Sequence, residues 1–206
     1  MSPKRYHIND VFFSPQGEGV RAGTMNVFIR FSACNLRCDV EPGPKSPGGF
    51  ACDTEFTSGI PMTGEELLKR AHDLAPTCRW IIFTGGEPSL QLDTRLVELF
   101  HDQGYQLAIE TNGTRNVDAL GLDWVCLSPK VAEHALKQTT AHEVKYVRAY
   151  GQGIPKTQVE ALHYVLSPAF DGDHVTQETL AWCLQLIREH PQWRLSLQLH
   201  KLIGVR

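Results

Sequence analysis

Short apolar runs alternate with longer amphipathic stretches along most of this chain. The runs at residues 26–31, 80–83, 106–110, 124–127, 144–147, 163–166 and 194–199 are rich in β-branched or aromatic side chains, a pattern that predicts strands. Between some of them, apolar residues recur at helical spacing. Thr63-Gly-Glu-Glu66 has the spacing of a capping box and predicts a helix from 63 to about 74. From 93 to about 103, Leu96, Val97, Leu99 and Phe100 fall on one stripe, and Gly104 then ends the helix. Residues 176 to about 189 repeat the pattern and stop before Pro191. Strand–helix–strand alternation predicts a mainly parallel α/β sheet. The units fall short of the eight of a closed barrel, so the expected fold is an open, partial (β/α) barrel of about six core strands with reduced helices. Two stretches rich in Pro and Gly, 39–51 and 149–156, break the rhythm and read as loops.

Length and charge narrow the possibilities. At 206 residues the chain suits one domain, 1–206, with an ordinary 42% hydrophobic content. A net charge of −3 gives no reason to expect a nucleic-acid groove or an anionic membrane surface as partner. No apolar run approaches the roughly 20 residues of a membrane span. The N-terminus is too polar for a secretory signal, so a cytoplasmic location with reduced thiols is expected. Cys78, Cys126 and Cys183 lie singly in apolar or amphipathic surroundings and read as core thiols.

The other cysteines are grouped. Cys34-Asn-Leu-Arg-Cys38 is followed, across the loop, by Cys52-Asp-Thr54. Structural zinc and iron–sulfur centres take four protein ligands. Three thiolates on a [4Fe–4S] cluster instead leave one iron free for a small molecule. From these residues alone, buried thiols or a zinc- or redox-sensing module remain alternatives. A second motif, Thr84-Gly85-Gly86-Glu87-Pro88, follows the run at 80–83. Paired glycines at a strand's C-terminal end let a ligand approach the backbone, at the end of an α/β sheet where ligands bind.

Together the two motifs resemble the radical S-adenosylmethionine enzymes. Further segments narrow the match: Gln16-Gly-Glu-Gly19, Arg30, Cys52-Asp-Thr54, Glu110-Thr-Asn-Gly113, Ser128-Pro-Lys130 and the tail from Trp193 to Lys201 recur in this order. From about Val11 to the C-terminus the chain is similar to the 7-carboxy-7-deazaguanine synthase family. That resemblance implies a radical S-adenosylmethionine-type partial barrel and conversion of 6-carboxy-5,6,7,8-tetrahydropterin to 7-carboxy-7-deazaguanine and ammonia, toward queuosine and other deazapurines. It implies an electron from a flavodoxin or ferredoxin, hydrogen abstraction at C6 of the pterin, ring contraction and a homodimeric enzyme.

The resemblance also implies site residues. Cys34, Cys38 and Cys52 would hold the [4Fe–4S] cluster, with the loop within 34–52 looping out. Gly49 occupies the place, three before Cys52, where a conventional middle cysteine would stand, but Cys38 is retained as the second ligand. Gly86 and Glu87, Ser128, Pro129 and Lys130, and Ser167, Pro168, Ala169 and Phe170 would contact S-adenosylmethionine. The pterin would meet Pro15, Gln16, Gly17, Glu18, Arg30, Thr84, His200 and the terminal carboxylate of Arg206. Thr54 would join substrate oxygens on Mg²⁺, with Asp53 instead orienting the loop. Arg30 suits a carboxylate because a guanidinium binds one through two parallel hydrogen bonds, and Glu18 can accept from a ring N–H.

Overall fold

The computed structural model describes residues 3–38, 52 and 54–205. Among the described residues nine strands form one sheet: β1 (Arg5–Pro15), β2 (Met25–Phe31), β3 (Ile60–Thr63), β4 (Trp80–Gly85), β5 (Gln106–Thr111), β6 (Trp124–Leu127), β7 (Thr140–Arg148), β8 (Glu160–Pro168) and β9 (Trp193–Leu195). Their order is β3-β1-β2-β4-β5-β6-β7-β8-β9. From β2 to β9 every neighbouring pair is parallel. β1 joins β2 and β3 antiparallel at one end. The sheet is therefore larger than the expected six core strands, and among the described residues α-helices fill only the β2–β4, β4–β5 and β8–β9 crossovers of its parallel part.

Two strands escaped the sequence pattern for local reasons. β1 carries a bulge between Ile8 and Asp10, so the buried side chains Tyr6, Ile8 and Val11 no longer alternate strictly. β3 is a short edge strand containing Pro61, a residue that edge strands tolerate because no partner needs its missing N–H. The strand expected at 194–199 ends at Leu195. Beyond it the Ser196 hydroxyl accepts from Gly19 N–H at 2.7 Å and Leu199 N–H donates to Gly17 O at 2.7 Å, which turns the chain into α4 (Leu199–Leu202).

Helices are few: α1 (Gly64–Leu74), α2 (Thr94–His101) and α3 (Gln177–Glu189) precede the short α4. The capping box forms as its spacing implies: the Thr63 hydroxyl accepts from Glu66 N–H, and the Glu66 carboxylate accepts from Thr63 N–H. Asp93 and Thr176 cap α2 and α3. α1 and α2 cover one face of the sheet over Val27, Ile29, Phe31, Ile81, Phe83, Leu107 and Ile109, all fully buried. An edge-to-face series, Tyr6–Phe31–Phe83–Phe100–Tyr105, runs through this core. α3 covers a second cluster with Leu166, Leu186 and Trp193. Among the described residues no helix is long and apolar enough to cross a membrane.

Candidate active site

The opposite face of the same strands changes character along its length. Near the strand starts it is apolar: Phe28, Ile82 and Ala108 pack with Phe12, Trp80 and Trp124. Two residues further along, or four in the case of Trp124, the inward positions become Arg30, Thr84, Glu110 and Ser128, which line a cleft of about 1370 Å³ at the C-terminal ends of the parallel strands. That is the end at which open α/β sheets bind ligands. Cys34, Cys38, Cys52 and Thr54 also line this cleft. So do Pro15, Gln16, Gly17, Glu18, Arg30, Thr84, Gly86, Ser128, Pro129, Lys130, Ser167, Pro168, Ala169, Phe170 and His200. Motifs scattered from residue 15 to residue 200 thus meet in one place. Arg206, Asp53, Gly49 and the loop 39–51 lie outside the described residues.

Glu87 is the exception, because it does not line the cleft. Its fully buried carboxylate accepts from Ser89 N–H (3.0 Å), Thr111 Oγ1 (2.8 Å) and Asn112 N–H (2.7 Å), so it ties the end of β4 to the end of β5. A burial-driven requirement for partners explains the inward turn.

The two glycines before Glu87 have an internal use as well. Gly85 has φ of 127°, and a Cβ there would stand 2.1 Å from Phe31 O; a Cβ on Gly86 would stand 2.1 Å from Ala33 O. Only bare backbone lets this strand end lie against the segment that carries Cys34. Gly86 N–H donates to Phe31 O (3.1 Å) and Glu87 N–H to Ala33 O (2.9 Å), strapping the cysteine segment to β4. Cys52 N–H donates to Cys38 O at 3.3 Å and brings the second and third cysteines together. Burial pushes the Cys34 thiol up; Leu36 N–H opposes this, and Glu87 with the other two thiols adds to it. Among the described residues no group of three or more His, Cys, Asp or Glu side chains could hold a metal ion. A cluster makes a different demand, since each thiolate binds its own iron. Three soft thiol donors lining one cleft fit that demand in type.

Elsewhere the cleft lining is polar. Among the described residues, Arg30 Nε is buried without a hydrogen-bond partner, and the guanidinium lies 5.2 Å from the Phe12 ring. Phe12 and Phe28 stack at 5.0 Å beside it. A bound anion would satisfy that orphaned donor. Gly17 packs directly on His200, since a Cβ there would come within 1.8 Å of His200 Nδ1. Gln16 Nε2 donates to Glu110 Oε1 at 3.0 Å. Glu18 accepts from Gln198 Nε2 at 2.7 Å and from Lys145 Nζ. Burial raises the Glu18 carboxyl, but the Lys145 ammonium and both hydrogen bonds outweigh it and bring the pKa down to about 2.

Lys145 lines the cleft without belonging to any recognised motif, whereas Glu110 and Gln198 lie in recognised segments that had not been assigned to the site. A signal for Lys145 was present: it interrupts the apolar run at 144–147, whereas strands of a buried parallel sheet read as near-continuous hydrophobic runs. A buried lysine needs a carboxylate partner. Cys126 lies buried as expected, yet on the cleft side of the sheet, donating to Glu143 Oε1 at 3.5 Å. Cys183 is buried and Cys78 half-buried against the core.

The parallel sheet, the cysteine wall and the glycine-strapped strand end define an α/β enzyme of the radical S-adenosylmethionine type. No protein-family model matches the chain. Curated relatives do, over nearly its full length. The 7-carboxy-7-deazaguanine synthase of Caulobacter vibrioides is 38% identical, over 97% of this chain and 99% of its own. That of Bacteroides thetaiotaomicron is 40% identical, over 97% and 98%. The crystal structure of QueE from Escherichia coli superposes with a TM-score of 0.69, covering 95% of each chain at 24% identity, and so shares the fold. The chain belongs to the 7-carboxy-7-deazaguanine synthase family.

Proposed function

We propose that the protein is a radical S-adenosylmethionine lyase that converts 6-carboxy-5,6,7,8-tetrahydropterin to 7-carboxy-7-deazaguanine with release of ammonia. The observation that carries this is the meeting of the cysteine wall and the Arg30–Glu18 wall in one cleft of a chain belonging to that family. Cys34, Cys38 and Cys52 would hold a [4Fe–4S] cluster, and Gly86 with the strand ends at Ser128–Lys130 and Ser167–Phe170 would hold S-adenosylmethionine. When bound, these groups supply one-electron, hydrogen-abstracting chemistry.

The chain's own residues bind and orient. Arg30, whose Nε is orphaned and whose face lies near Phe12, takes the substrate carboxylate. Glu18, ionised and acceptor-only, receives N–H donors of the pyrimidinone edge, a match that a site lacking the carboxylate would not provide. Thr84 and His200 line the same pocket. Thr54, which lines the cleft, would be the protein ligand of a Mg²⁺ ion, a cation content with few protein ligands. Held in the same cleft as the cysteines, the pterin would be positioned for reaction, and such positioning contributes to rate.

The same reading includes one domain over 1–206, its sheet curved as an open partial barrel, in a cytoplasmic homodimer that draws electrons from a flavodoxin or ferredoxin. Neither nucleic acid nor membrane enters the reaction. Anaerobic reconstitution with iron and sulfide, then incubation with S-adenosylmethionine, Mg²⁺, reductant and the carboxypterin, should give a brown protein and 7-carboxy-7-deazaguanine by mass spectrometry. Colourless zinc protein, or 5′-deoxyadenosine without deazaguanine, would overturn the assignment.

A further inference from the structure

We propose that Lys145 is a positioning residue for substrate recognition: it holds the Glu18 carboxylate as an acceptor-only group aimed at the cleft. The inference rests on the assignment of the pterin as substrate.

Lys145 sits in the middle of β7 with its side chain only 7% exposed. It lines the cleft floor on the same face as Glu143. Its ammonium pairs with Glu18 Oε2 and stands 3.6 Å from Glu110 Oε2. The groups around this pair come from several elements. Glu18 and Gln16 are on the turn after β1, Glu110 is on β5, Cys126 on β6, Glu143 on β7, Gln198 just before α4 and His200 in it. Lys145 is the cation placed between two of the carboxylates, Glu18 and Glu110. Burial alone would lower its affinity for a proton, but Glu110 and Glu18 reverse this and keep it charged.

The backbone on either side of Glu18 is fixed independently of Lys145. Val20 N–H donates to Glu143 Oε2 (2.8 Å), Gly19 N–H to Ser196 Oγ (2.7 Å), and Gly17 O accepts from Leu199 N–H (2.7 Å). Lys145 therefore is not needed to build the turn. It acts on the charge and direction of one side chain. A protonated Glu18 would present an O–H toward the N–H donors of the pyrimidinone edge, donor against donor, and the affinity of a charge-assisted hydrogen bond would be lost.

Without Lys145, burial of Glu18 is uncompensated and its carboxyl rises, so the binding-competent ionised form disappears as pH falls. Lys145→Met should raise KM at pH 6 by about tenfold or more and by much less at pH 8.5, each unit of carboxyl shift being a factor of ten, with kcat far less affected. Lys145→Arg should restore the flat profile. Anaerobic titration of the carboxypterin onto the loaded enzyme should show the same pH dependence. An unchanged KM profile in Lys145→Met, or a loss equal at both pH values and not rescued by arginine, overturns the proposal. If Lys145→Met fails to fold, Glu18→Gln carries the test, because it imitates the protonated carboxylate beside an intact Lys145. Its KM should rise at every pH, and an unchanged KM overturns the proposal. Wild-type enzyme run in parallel separates the two readings. Absence of 7-carboxy-7-deazaguanine there removes the substrate assignment, whereas normal wild-type turnover with an indifferent Lys145→Met removes only the role of Lys145.

Discussion

The two faces of one set of strands differ more than any two elements of the molecule. On β2, β4 and β5, the residues Ile29, Phe31, Ile81, Phe83, Leu107 and Ile109 face α1 and α2 and are excluded from water. Their immediate neighbours Arg30, Thr84 and Glu110 face the cleft. The alternation of a strand puts stability on one face and chemistry on the other, one residue apart. The cleft face is itself graded, with Phe28, Ile82 and Ala108 packed near the strand starts and polar groups near the strand ends. Charged groups are concentrated where the sheet opens, and the helix-covered face contributes the burial that offsets their desolvation.

The largest expected effect lies wholly on the cleft side. Cys34→Ala should abolish iron and sulfide incorporation and product formation while the thermal transition stays near that of the apo wild type. Retention of a full cluster would remove Cys34 from the ligand set. Next comes the opposite face: Phe83→Ala should destabilise by about 3–5 kcal/mol, because it opens a cavity in the aromatic series. Urea unfolding measures this, and a loss below about 1 kcal/mol would mean that the series repacks freely.

Arg30→Gln sharpens the contrast by altering binding without touching the helix-covered core. KM for the carboxypterin should rise by roughly 10- to 100-fold, as expected for a lost charge-assisted contact of about 1.5–3 kcal/mol, and the urea midpoint should hardly move. A reversed pattern, stable KM and lost stability, would make Arg30 structural. Thr63→Ala should cost about 1 kcal/mol through the capping box of α1, with no change in KM.

The smallest effect is a pH signature at α2. Burial raises the Asp93 carboxyl, but Lys4, Leu96 N–H and Tyr6 outweigh it, so its folded pKa lies below the ordinary value. Its contribution is therefore present above about pH 4 and is lost as pH falls through the depressed pKa. The thermal midpoints of wild type and Asp93→Asn should differ at pH 7 and converge in acid; a constant gap would deny the charge any role.

Much of this was legible in the sequence where the determinant is local. Strand periodicity and the capping box at Thr63–Glu66 depend on residues near one another, and the chain folds accordingly. The β1 bulge hid a long strand because one extra residue inverts the alternation on which recognition depends. Glu87 belonged to a recognised motif, yet its direction was decided by Thr111 and Asn112, which β5 brings alongside.

The sequence by itself determined which strands and helices the parallel part of the sheet would have, and which family the motifs resemble. It also marked Lys145 as out of place in an apolar strand. Only the tertiary structure decided what answers that charge. Glu18 lies 127 residues away, and Gln198 reaches the same carboxylate from a separation of 180. Local patterning specifies which face a side chain takes. The partner of a buried charge is specified by the order in which distant strands pair, because only that order sets which groups share the same dry volume.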